Sequence, residues 1–315
     1  MSQEILERKT YSEKIVNDIK ETLIDIESLG QNNVSVIVTG SFGRNEASKE
    51  SDMDWFIISE ESLGSALEQK LQKDVTQVVN EYVTKNVGNT GTFGGVVTKA
   101  ELLSNFGGDK ETNQEFTRRM LYLLESKPLY NTSLYTSLKE EILKLYIKEG
   151  VPDSSLNRFM LNDVIRYYRT ICTDYEYKVH EGMKSWGVRK IKLRFSRKLL
   201  YFSGLLTVAY TSNLTRDEKV SQTLSLLEYT PIDRIKEIVG QNISEKMVAH
   251  YANFLTEISK PEIRDALEGI TRENKDECSE YRKLKNLSQH FNWEMEKCFL
   301  NEFPSSHPIH GAMLF

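Results

Sequence analysis

Cysteine is scarce in this chain: Cys172, Cys278 and Cys298 are the only three in 315 residues. An odd, widely spaced set gives neither a disulfide framework nor the ligand spacing of a zinc site. All three fall on expected helices as ordinary thiols. Histidine is sparse too, with five residues and no His-Glu-x-x-His pattern, so neither a zinc hydrolase nor a Ser-His-Asp hydrolase gains support. Two of the five, His307 and His310, lie in a tail that reads as an irregular surface segment. No apolar run approaches the roughly 18 residues that span a bilayer. The start, Met1-Ser-Gln-Glu-Ile-Leu-Glu-Arg-Lys, lacks the apolar centre of a signal peptide, so the expectation is a cytoplasmic protein with no membrane role. Neither sign of charge dominates: 41 Lys and Arg against 46 Asp and Glu leave a net charge of −5. No overall field therefore draws the chain to nucleic acid, although a local basic patch could still hold RNA.

What is present is enough chain for two domains, and a charged fraction of 28% that suits much exposed helix. Apolar residues at helical spacing (Ile5, Ile15, Ile19, Leu23, Ile26, Leu29) predict one helix over 2–29, ended by Gly30. A strand over 34–39, a Gly-Ser loop and a strand over 54–59 follow. Then come a helix over 62–85, a strand over 91–98, a short helix over 100–105 and a helix over 112–126. Pro128 reads as a domain boundary. Beyond it the pattern is helical throughout: 133–149, 156–179, 188–213, 218–227, 230–239, 244–259, 261–268 and 275–303. The fold class expected is α+β: a small mixed sheet with helices over 1–130, then an all-helical domain over 131–315.

The stretch Val34-Ser-Val-Ile-Val-Thr-Gly-Ser-Phe-Gly-Arg-Asn-Glu-Ala-Ser-Lys-Glu-Ser-Asp-Met-Asp-Trp-Phe-Ile-Ile58 carries the chemistry. It reads as strand, tight turn, polar segment and second strand. Backbone N–H groups beside a glycine can approach a phosphate closely, since no Cβ intervenes. Asp52 and Asp54 are two apart, so in extended chain their carboxylates share one face while Met53 points to the core. Such a pair suits a hard divalent cation, Mg²⁺ or Mn²⁺, that keeps positions open for substrate phosphates. The unbroken apolar run Trp55–Ile58 predicts a strand covered on both faces.

Gly40-Ser41, Arg44, Glu46 and Ser51-Asp52-Met53-Asp54 together resemble the signature of the DNA polymerase beta-type nucleotidyltransferase superfamily. The Gly-Ser-Phe-Gly-Arg-Asn-Glu spelling is most similar to bacterial signal-transduction nucleotidyltransferases of the uridylyl- and adenylyltransferase kind. A looser likeness runs through Phe116-Thr-Arg-Arg-Met-Leu-Tyr-Leu-Leu-Glu-Ser126, which resembles the helix closing those domains. The resemblance implies that Gly40 and Ser41 contact an NTP triphosphate and that Asp52 and Asp54 bind the metal. It also implies a third carboxylate on a later strand, and the expected strand 90–98 contains none. Glu101, just beyond, is the first candidate; its other reading is an exposed first-turn acid of a helix. Asp109 and Glu111 follow in an expected loop. Arg44 reads as a brace on the loop, through Glu46 or Asp52, as well as a nucleotide-side residue.

The helical part holds a second cluster. Asn162, Arg166 and Arg169 share a helical stripe, and Lys190, Arg194 and Arg197 share another. These cations could clamp a triphosphate or the phosphate of an acceptor. Alternatively they pair with acids such as Asp163, Asp174 and Glu176. These motifs together point to metal-dependent transfer of a nucleoside monophosphate from an NTP to an acceptor hydroxyl, with release of pyrophosphate. A protein side chain is the first choice of acceptor, a small molecule the second and RNA the third. The alternative is a non-catalytic regulator on the same fold that binds a nucleotide or a partner protein.

Overall fold

The computed structural model describes residues 2–84, 95–150, 152–180 and 185–314. Its first part runs α1 (Gln3–Ile24), α2 (Glu27–Gly30), β1 (Val34–Val38), a single helical turn α3 (Gly40–Gly43), β2 (Trp55–Ser59) and α4 (Ser65–Tyr82). It continues through β3 (Val96–Thr98), α5 (Lys99–Leu103), α6 (Asn113–Glu125), β4 (Lys127–Tyr130) and α7 (Thr132–Tyr146). The remainder is α8 (Arg158–His180), α9 (Trp186–Lys192), a π-helical turn (Leu193–Arg197), α10 (Lys198–Tyr210), α11 (Arg216–Glu228) and α12 (Pro231–Val239). The chain closes with α13 (Gln241–Ile258), α14 (Pro261–Glu268), α15 (Ser279–Glu302) and α16 (Pro308–Leu314). This is the expected α+β architecture with a helical C-terminal region. Leu6–Glu149 forms one compact unit, and Gly150–Phe315 with Met1–Ile5 forms the other. Among the described residues, no helix is long and apolar enough to cross a membrane.

The sheet has the order β3-β2-β1-β4. β1 pairs antiparallel with β2 (Val34 opposite Ser59, Val38 opposite Trp55) and with β4, while β2 pairs parallel with β3. Alternation along the strands sends Val34, Val36, Val38, Trp55 and Ile57 into one core with α1 and α4. Ile37, Phe56 and Ile58 alternate to the opposite face and are fully buried there too. The unbroken apolar run is thus a strand covered on both faces.

Several expectations need correction. The helix expected over 2–29 is two: α1 ends in tightened turns (Asp25 N–H to the Thr22 carbonyl, Ile26 N–H to that of Leu23), and extended Ile26 redirects the chain into α2. Strand β4 was not foreseen. Its proline signalled a break, but Pro128 lies on an edge strand, where a missing N–H is tolerated. Of the strand expected over 91–98, residues 91–94 lie outside the described residues and Val96–Thr98 is strand. The helix expected over 188–213 is interrupted by the π-helical turn, and the irregular tail contains α16.

The helical unit is built on α10, which is apolar all round and buried along most of its length. Aromatic rings tie the π-helical turn to α13 and α15: Phe195 stacks on Phe254 at 4.3 Å and lies 5.4 Å from Phe291. Fully buried Arg234 is satisfied by carbonyls at the end of α11, donating to Leu226 (2.8 Å) and Tyr229 (3.0 Å), and by Ser203 Oγ (3.1 Å).

Candidate functional site

Antiparallel pairing puts the end of β1 beside the start of β2, so the Gly-Ser turn and the aspartates meet at one end of the sheet. The pairing extends past the strands, with the Thr39 N–H donating to the Asp54 carbonyl at 2.8 Å. Gly40 then adopts a left-handed φ of +67°. A Cβ built there would stand 2.9 Å from Asp54 Oδ2, so the turn and this carboxylate are in close approach only because residue 40 has no side chain. Asp52 is exposed and Asp54 half-buried, flanking a fully buried Met53. That is the alternation of extended chain, as expected.

Behind the turn lies a buried ionic network. Arg44 donates from Nε to Glu46 Oε2 at 2.8 Å and from Nη1 to Glu125 Oε2, and all three side chains are buried. Glu125, the last residue of α6, also accepts the Gly40 N–H through Oε1 at 3.3 Å. Arg8 on α1 donates to the Glu46 carbonyl at 2.7 Å. Glu125 was missed by sequence reasoning. Its signal was there: an acid closing the apolar run Met120–Leu124 must find a partner once buried.

Each other expected site residue has a place. Ser41 is half-exposed between buried Gly40 and Phe42. Glu101 completes a capping box at the start of α5, accepting from the Thr98 N–H (2.6 Å) and Oγ1 (2.9 Å). Glu111 forms a buried ion pair with Arg119, whose guanidinium lies 3.9 Å over the Phe106 ring. Asp109 is exposed. In the helical unit, Arg166 lies 3.9 Å from Asp163 and Lys190 lies 3.0 Å from Glu176. Arg169 is exposed, and Arg194 donates to Ser288 Oγ at 3.5 Å. Lys190 and Arg197 contact Glu176 and Tyr175 of α8, while Arg194, on the π-helical turn, contacts Ser288 of α15.

Residues 18–99 match the nucleotidyltransferase domain family. The match begins in α1 and runs through β1, the Gly40 turn, both aspartates, β2, α4 and β3. No curated protein matches the chain. Nucleotidyltransferase domains generally use an NTP and a divalent metal. Among the described residues, no group of three or more His, Cys, Asp or Glu side chains is placed to hold a metal. The Asp54 carboxylate lies beside Gly40, with exposed Asp52 two residues before it in extended chain, and two such carboxylates suit Mg²⁺, which binds through one or two carboxylates plus substrate phosphates.

Proposed function

We propose that this protein transfers a nucleoside monophosphate from an NTP to an acceptor hydroxyl. The observation that carries this reading is the approach of Gly40, in its left-handed turn, to the Asp54 carboxylate, within the segment that matches a nucleotidyltransferase domain. The acceptor oxygen forms a bond to the α-phosphorus, the bond from that phosphorus to the bridging oxygen breaks, and pyrophosphate leaves with the electron pair. The hydroxyl proton passes to solvent. Asp52 and Asp54 would hold the divalent cation, Mg²⁺ or Mn²⁺, which supplies charge stabilisation at the α-phosphate and the leaving group. Ser41 and the backbone around Gly40 orient the triphosphate, while Arg44 and Glu125 hold the turn rigid from behind. A cytoplasmic setting, where NTPs are abundant, suits this chemistry. By the spelling of the Gly40–Glu46 turn the acceptor is the hydroxyl of a protein side chain, as in regulatory uridylyl- and adenylyltransferases, with a small molecule next.

The test is incubation with each α-³²P-labelled NTP and Mg²⁺ or Mn²⁺, with and without cell extract, beside an Asp52→Ala/Asp54→Ala variant. Label moved by the wild type and not by the variant supports the reading and reports base and acceptor together. A second reading, a nucleotide-binding regulator without turnover, is favoured by the engagement of Glu101 in its capping box. Nucleotide binding with no label transferred would select it. If Glu101 only caps α5, Glu101→Gln leaves the transfer rate within roughly two-fold of wild type, whereas a base at that position would lose roughly a hundred-fold or more.

A further inference from the structure

The protein carries a net negative charge, and many of its lysines form ion pairs, such as Lys190 with Glu176, Lys236 with Asp233 and Lys297 with Glu294. One group of cations departs from this. Arg169 lies on α8, Arg194 on the π-helical turn and Lys198 at the start of α10. Among the described residues none of the three is paired with a carboxylate. Two of the three have neutral partners on α15: Arg194 Nη1 donates to Ser288 Oγ at 3.5 Å and Lys198 Nζ to Asn292 Oδ1 at 2.9 Å. Buried Arg194 Nε has no acceptor among the described residues.

Ser288 and Asn292 lie one turn apart on α15, and Tyr168, next to Arg169 on α8, stacks on Tyr201, one turn beyond Lys198 on α10, with the rings 5.0 Å apart and inclined by 25°. The Arg194 charge acts on Tyr168 and Lys198, and that of Arg169 acts on Tyr201. Burial pushes both phenols up, so they remain neutral hydroxyls rather than counter-charges. Burial, with Arg194 beside it, pushes the Lys198 ammonium down. Like charges held together in part-buried surroundings repel one another until an anion joins them. The π-helical turn that delivers Arg194 is itself a feature frequently found at functional sites.

We propose that Arg169, Arg194 and Lys198, beside the Tyr168–Tyr201 stack, form a binding site for the phosphate group of a small molecule. The site rests on these cations and is independent of the nucleotidyl-transfer reading. A phosphate dianion matches the set, since two guanidinium forks and an ammonium supply charge-assisted donors to several of its oxygens. A nucleic-acid strand would call for an extended basic track on a protein of opposite net charge.

The experiment is calorimetric titration of the full-length chain with inorganic phosphate and, separately, with an α,β-methylene NTP in the presence of Mg²⁺. Wild type is compared with Arg194→Gln/Lys198→Gln, with Arg169→Gln at an exposed position, and with Asp52→Asn/Asp54→Asn, all with matched thermal melts. Phosphate should bind the wild type and the aspartate variant alike. It should bind about ten-fold more weakly to the Arg194/Lys198 variant and roughly three-fold more weakly to Arg169→Gln. NTP affinity should fall only in the aspartate variant. Phosphate that fails to bind, or that binds every variant equally, overturns the site. A fall in NTP affinity with Arg194→Gln/Lys198→Gln assigns these cations to the donor nucleotide and overturns a separate phosphate site.

Discussion

Gly40 joins backbone conformation to chemistry. Its φ of +67° disfavours any side chain, and the nearest atom to an added Cβ is Asp54 Oδ2 at 2.9 Å. Gly40→Ala should therefore lower stability by about 1–2 kcal/mol through the left-handed backbone alone. It should also displace the Asp54 carboxylate, so label transfer should fall by more than the folded fraction does; urea unfolding and transfer assays on one preparation separate the two. Arg44 answers a different demand. It holds two buried carboxylates, Glu46 and Glu125, so Arg44→Ala leaves uncompensated charge and should cost about 3–5 kcal/mol in urea unfolding. A loss below about 1 kcal/mol would show the network to be solvated and dispensable.

At the scale of elements, close approach decides what pattern cannot. Helix α9 packs on α14 with Gly187 at the contact, where an added Cβ would lie 2.3 Å from the Leu267 carbonyl oxygen and 2.6 Å from Ile270. Backbone cannot retreat as a flexible side chain can, so Gly187→Ala should destabilise the chain by about 1–3 kcal/mol, read as a lower urea midpoint with an unchanged slope. The helices themselves were legible in outline, because apolar spacing and capping residues are local. Thr112 and Thr230, for example, cap α6 and α12. The short strand β4 was illegible, since Lys127–Tyr130 has no alternation and acquires its identity only by pairing with β1. The split between α1 and α2 was equally hidden, because apolar spacing continues across Ile26 while the backbone turns.

For the whole molecule, the net charge of −5 bears on what the surface attracts. Fluorescence anisotropy with labelled duplex DNA should show no saturable binding at physiological ionic strength, since non-specific association depends on displacing counterions with a net basic surface. Saturable binding that weakens steeply with salt would mean that the cations of the helical unit form a continuous track, and would count against a local phosphate site. Both units have their own apolar interiors, one about the sheet and one about α10, so side chains from each supply separate cores.

Sequence alone determined the outline of this protein. Residues 34–58 showed a strand, a glycine turn, two aspartates on one face and a second strand, because each of those features is set by neighbours within a few positions. It also separated a sheet-bearing first part from a helical remainder. Tertiary structure decided the rest. That Gly40 faces Asp54 follows from antiparallel pairing, and Glu125 reaches the Gly40 N–H from 85 positions away. The same holds for the cations of the helical unit, where Lys190 met Glu176 while Arg194 and Lys198 met only neutral partners. Charge pairing is a property of which helices become neighbours, and spacing along one helix does not carry that information.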